Sequence, residues 1–122
     1  MESLFLDTNI IVRHITQDNL DMAERARILL NDAEEGSLTL IGSESILVEA
    51  VNVLSSPRLY NLPRQQVADD LATILAVPGI KFPTKRILLR ALALWVGSSV
   101  DFVDALSVAQ MKQVSQQERE SA

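Results

Sequence analysis

Three short apolar runs, Leu4-Phe5-Leu6, Leu38-Thr39-Leu40-Ile41 and Ile80-Lys81-Phe82, are parted by long stretches whose apolar residues recur at helical spacing. Strands joined by helices do not pair as hairpins, because each helix carries the chain back to the starting end of the sheet. The pattern therefore predicts an α/β fold with a parallel sheet covered on both faces. The first run reads as a buried strand stopped by Asp7-Thr8-Asn9, after which Ile10-Ile11-Val12 resumes apolar character. Asp18, with Asp21 three residues on, reads as the cap of a helix carrying Met22, Ala26, Leu29, Leu30 and Ala33 and closed by Gly36. Gly42-Ser43 opens a second apolar helix to about Leu54, ended by Ser55-Ser56-Pro57. A third spans roughly Arg64 to Ala76 and stops at Pro78-Gly79. Thr84 reads as the cap of a fourth, running to about Val96 before Gly97, and the last helix starts near Asp101.

A chain of 122 residues is long enough for one compact core, and the expected division is a domain over 1–111 followed by a polar tail over 112–122. The absence of cysteine excludes disulfides, zinc–thiolate sites, iron–sulfur clusters and cysteine nucleophiles, and His14 is the sole imidazole. Any metal here is a hard cation held by oxygens. With 11 Lys and Arg against 16 Asp and Glu, the net charge of -5 argues against a broad basic face for nonspecific binding of nucleic acid. It leaves open a nucleic-acid substrate gripped through metal ions. No apolar run approaches the about 18 residues that cross a bilayer, and Met1-Glu2-Ser3-Leu4-Phe5-Leu6-Asp7 is too short and acidic an opening for a signal peptide. The expected location is cytoplasmic, with no membrane partner.

Most of the acids read as solvated, but four stand out from their surroundings. Asp7 directly follows the first strand, at the end of a sheet where α/β folds place their ligand crevice; the plain alternative is a turn-forming residue. Glu49 is the single charge in Ile46-Leu47-Val48-Glu49-Ala50-Val51-Asn52-Val53-Leu54, so it must be exposed, paired or metal-bound, and functional burial is expected. Asp101 and Asp104 lie three apart at a helix start and point to nearly the same side; Asp101 also reads as an N-cap, and Asp104 is expected in a largely buried first turn. Carboxylates gathered in a small domain repel unless a cation neutralises them, which implies Mg²⁺ or Mn²⁺ in an all-oxygen site. Such an ion polarises a phosphodiester and activates water, so phosphodiester hydrolysis is the natural reaction class.

Phe5-Leu6-Asp7-Thr8-Asn9-Ile10-Ile11, Val48-Glu49-Ala50-Val51-Asn52-Val53-Leu54 and Asp101-Phe102-Val103-Asp104-Ala105-Leu106, in this order, resemble the PIN domain, in particular the small VapC-type toxins of bacterial toxin–antitoxin pairs. The resemblance runs from about residue 3 to 111. It implies a three-layer α/β/α sandwich around a short parallel sheet, Mg²⁺- or Mn²⁺-dependent endoribonuclease activity on RNA, and inhibition by a cognate antitoxin protein. By match to the motif, Asp7, Glu49 and Asp104 are the core acids, with Asp7 and Asp104 the direct metal ligands, Glu49 holding a second ion or orienting water, and Asp101 an additional acid. Thr8 and Asn9 match the supporting positions beside the first Asp.

The chain departs from that pattern after the last helix, where members of the family usually continue into a strand that supplies a further acid. Here Gln110-Met111-Lys112-Gln113-Val114-Ser115-Gln116-Gln117-Glu118-Arg119-Glu120 shows no strand alternation, so the sheet is expected to lack its last strand. Either Asp101 supplies the missing charge, or the site is incomplete and the chain is a PIN-like module acting through antitoxin binding or self-association. A sheet without its final strand exposes an edge or apolar face, which predicts a homodimer or an antitoxin complex. Lys85, Arg86 and Arg90 read as a solvated face or an RNA-contacting edge, and His14 and Trp95 as structural.

Overall fold

The computed structural model describes residues 2–121, which fall into two compact units, one up to Pro83 and one from Thr84. The first unit runs β1 (Glu2–Phe5), α1 (Thr8–Thr16), α2 (Leu20–Glu35), β2 (Leu38–Ile41), α3 (Glu44–Ser55), α4 (Arg64–Leu75) and β3 (Ile80–Lys81). Among the described residues its sheet has three strands in the order β1-β2-β3, all parallel, with Leu4 opposite Leu40 and Leu40 opposite Ile80. The α/β class and the short parallel sheet expected from the alternating pattern are both present.

Each β-to-β connection is helical, and the helices bury one stripe each. Helix α1 packs on α2 and α3, α2 on β2, and α4 on α3 and β3. Ile11, Leu40, Leu47, Val51, Leu54, Val67, Leu71, Leu75 and Ile80 form the buried centre of this unit. Burying such side chains contributes roughly 1.5–3 kcal/mol each before entropy is counted. Gly36 ends α2 in the left-handed conformation, φ 86°, that only glycine adopts without strain. Gly42 is required for another reason: a Cβ there would collide with the Phe82 ring.

The first apolar run departs from expectation. All four residues of β1 are exposed, Phe5 at 85%, and burial begins only at Leu6. As an edge strand β1 has a neighbour on one side, so its apolar side chains lie where the run's composition alone predicted an interior strand. Ile10-Ile11-Val12, left unassigned by periodicity, lies in α1, whose Ile11 and Val12 are buried. Asn19, not Asp18, caps α2, its side chain accepting from the Met22 N–H at 3.1 Å. Ser43 caps α3 as expected, whereas Thr84 makes no side-chain cap to α5.

The second unit is a pair of helices, α5 (Lys85–Val96) and α6 (Phe102–Ser121), that pack on each other. Trp95 and Phe102, both buried, meet edge to face with ring centroids 6.0 Å apart. The stretch read as a polar tail is helical: α6 continues through it to Ser121, with most of its side chains after Gln110 exposed. No strand follows α6 among the described residues. No described helix is long and apolar enough to cross a membrane.

Candidate active site

Asp7 sits where β1 hands over to α1, two residues beyond the last strand residue, and serves as the N-cap of the helix. Its extended backbone lets the carboxylate accept the Asn9 N–H at 2.8 Å. This is the turn-forming role, and it uses one oxygen only; the exposed carboxylate keeps its remaining lone pairs for another partner. Asn9 supplies a backbone donor, and its own side chain is exposed.

Thr8, the first residue of α1, is 7% exposed and points the other way, donating its hydroxyl to Glu49 Oε2 at 3.0 Å across 41 residues of chain. Packing of α1 on α3 makes that contact possible. The structure thus joins the first acidic motif to the second by a direct side-chain bond. Glu49 itself is exposed, which corrects the expectation of burial: α3 buries Leu47, Ala50, Val51 and Leu54 and leaves Glu49 on its outer face. The bond to Thr8 occupies one carboxylate oxygen and orients the group.

Two depressions flank these acids. Asp7 lines a groove of about 280 Å³ whose walls include Ile10, Arg13, Met22 and Arg25. Glu49 lines a separate one of about 370 Å³ with Glu44, Val48 and Asn52. Arg25 carries no signal in the sequence, because charged residues on a polar helix face are ordinary; α1 packing on α2 brings it to the Asp7 groove.

In the second unit, Asp101 precedes α6 and its Oδ1 accepts the Asp104 N–H at 2.9 Å, the geometry of an N-cap. Asp104 is exposed, not buried, because the inward stripe of α6 is Phe102, Ala105, Leu106 and Ala109. The acids therefore come as two couples, Asp7 with Glu49 through Thr8, and Asp101 with Asp104. Among the described residues no three or more His, Cys, Asp or Glu side chains are grouped to hold a metal ion. What the donor set does offer is hard, exposed carboxylate oxygens, with Asp7, Glu49 and Asp101 each accepting one hydrogen bond, which is the chemistry that Mg²⁺-like cations take.

Asp18 and His14 sit in different surroundings from these four acids. Asp18 accepts from Tyr60 and from Arg13, which together hold its carboxyl at about 2. His14 is held below its ordinary value by burial, partly offset by Asp70.

A family model described as PIN domain matches residues 4–117, nearly the whole chain. No curated protein matches it.

Proposed function

The chain belongs to the PIN domain family, whose members are generally nucleases that use divalent metal ions, and from that premise we propose that it is a Mg²⁺- or Mn²⁺-dependent endoribonuclease, the toxin of a toxin–antitoxin pair. The observation that carries this reading is the Thr8–Glu49 hydrogen bond, which ties the Asp-Thr-Asn motif at the end of β1 to the isolated glutamate of α3. Asp7, Glu49 and Asp104 are its core acids, and Asp101 assists by holding the first turn of α6. A divalent cation bound by these carboxylates supplies Lewis acidity toward the phosphodiester and makes water a better nucleophile. The chain's own part is to keep the acids exposed and oriented: Asn9 N–H fixes Asp7, and Thr8 fixes Glu49.

Asp7→Asn and Asp104→Asn are each expected to reduce Mn²⁺-dependent cleavage of RNA to background in a folded protein. Cleavage that persists in both variants removes the assignment. A thermal melt gives an independent reading, since metal that binds only the folded chain raises the midpoint, by about 2.7 kcal/mol of stability at a hundredfold excess over Kd.

A second reading is favoured by the exposed apolar edge of β1: a module that pairs with an antitoxin or with itself, as a homodimer, in the cytoplasm. Sedimentation at micromolar concentration is expected to show a species heavier than 13.5 kDa. A lone 13.5 kDa species counts against self-association.

A further inference from the structure

A depression of about 630 Å³ lies wholly within the α5–α6 pair, and its ionisable lining is cationic throughout: Arg90 from α5, Lys112 and Arg119 from α6. In a chain of net charge -5 that is a local inversion of sign. Among the described residues none of the three is engaged in an ion pair, whereas Arg13 and Arg27 are bound to Asp18 and Glu24. Val108 and Met111, the latter 69% exposed, give the groove an apolar floor, and Ser115 adds a hydroxyl.

Helical spacing sets these groups in a row. Val108, Met111, Lys112, Ser115 and Arg119 fall at i, i+3, i+4, i+7 and i+11, one face of α6, and Asp104 opens that same face one turn earlier. Seven residues from Lys112 to Arg119 advance roughly 10 Å along the axis. That length takes in more than one phosphate of an extended strand, with guanidinium forks suited to phosphate oxygens and an apolar strip for ribose or base faces. An aligned row of cations leading away from a candidate catalytic acid matches a polyanion that must be held beside the bond to be cut.

Resting on the nuclease reading above, we propose that the α5–α6 groove is a backbone-binding track for single-stranded RNA, with Arg90, Lys112 and Arg119 as positioning residues that contact phosphate. They hold the strand and take no part in the chemistry at the acids. The track exists because the polar stretch after Met111 is helical and forms one wall of the groove.

The test compares two triple variants of the full chain with equal loss of charge: Arg90→Gln with Lys112→Gln and Arg119→Gln, against Arg27→Gln with Arg58→Gln and Lys81→Gln. Binding of a short unstructured RNA is followed by fluorescence anisotropy in EDTA, so no cleavage intervenes, and circular dichroism checks folding. The groove triple is expected to weaken binding about tenfold or more at low salt and to flatten the salt dependence by about two in log–log slope, with the control changed far less. The single variants Arg90→Gln and Arg119→Gln give the same result in smaller steps if the triple does not fold. Equal weakening in both triples overturns the track in favour of net charge, and tighter binding of a poly-glutamate peptide than of RNA overturns it in favour of an acidic protein segment. Cleavage separates this proposal from the one beneath it. A wild-type chain that binds through the groove but does not cut RNA with Mn²⁺ removes the nuclease and supports the track; one that cuts, with KM unchanged in the groove triple, removes the track alone.

Discussion

The two ends of α1 carry polar clusters built on opposite principles. At the carboxyl end, Asp18 receives Arg13 Nη1 on both oxygens, at 2.9 and 2.7 Å, Thr16 at 2.9 Å and Tyr60 at 2.5 Å. The Tyr60 hydroxyl, then the Arg13 guanidinium, pull its carboxyl down to about 2. At the amino end, Asp7 and Glu49 each accept one hydrogen bond. A carboxylate whose lone pairs are filled from inside the chain fastens segments together; one held by a single donor is oriented and still able to take a cation. The same residue type thus fastens at one end of the helix and is left open at the other, and the difference is the count of internal donors.

That contrast breaks most decisively at Asp7. Asp7→Asn keeps the acceptor for the Asn9 N–H and removes the charge, so metal-dependent cleavage is expected to fall to background while Tm changes little. A large fall in Tm with activity retained would make Asp7 a cap and nothing more. Thr8→Val comes next: it deletes the bond to Glu49 inside a buried position, with an expected loss of about 1 kcal/mol of stability and a 10–100-fold weakening of metal dependence or activity. Thr8→Ser keeps the hydroxyl and is expected to retain most of both. Tyr60→Phe probes the other end and is expected to show the reverse pattern, a Tm lower by about 2–4 °C with cleavage unchanged. Cleavage lost together with Tm in that variant would erase the distinction between the two ends.

The sequence made the amino end of α1 legible and hid the carboxyl end, for a physical reason. Asp7 follows an apolar run and Glu49 stands alone in one, so each is conspicuous against its neighbours. Asp18 sits among polar residues, and its decisive partner, Tyr60, lies 42 residues away in a loop after α3, where no local pattern points to it. Burial was the weaker part of the reading. An apolar neighbourhood marks which helix is packed but not which face an acid occupies, so Glu49 and Asp104 proved exposed on helices whose other faces are buried. Likewise β1 has the composition of an interior strand and the position of an edge, because strand order is a property of the sheet and not of the run. The cations of α6 carry no local signal, since a polar stretch reads as a tail until the helix sets its side chains in line.

The smallest expected effect separates the polar groups of α1 by pH. Asp18 has a folded value of about 2 against 3.8 unfolded, so its contribution is complete above 3.8 and is lost as pH falls from there through about 2. His14, within α1, is half-buried with Nδ1 buried and without a partner, and burial holds its proton affinity below the ordinary 6.5 despite the opposing charge of Asp70. The unfolded chain then binds this proton more readily, so stability is full above 6.5 and declines as pH drops below that value toward the folded one. As the chain has one histidine, the part of a fall in Tm between pH 7 and pH 5.5 that disappears when it is replaced belongs to it. The expected fall is about 1–2 °C, and His14→Gln is expected to flatten it while leaving the steeper loss below pH 4 in place. A slope unchanged in that variant would mean that the buried imidazole does not carry the acid sensitivity of this range, and the opposition between the two ends of α1 would have to be drawn from activity alone.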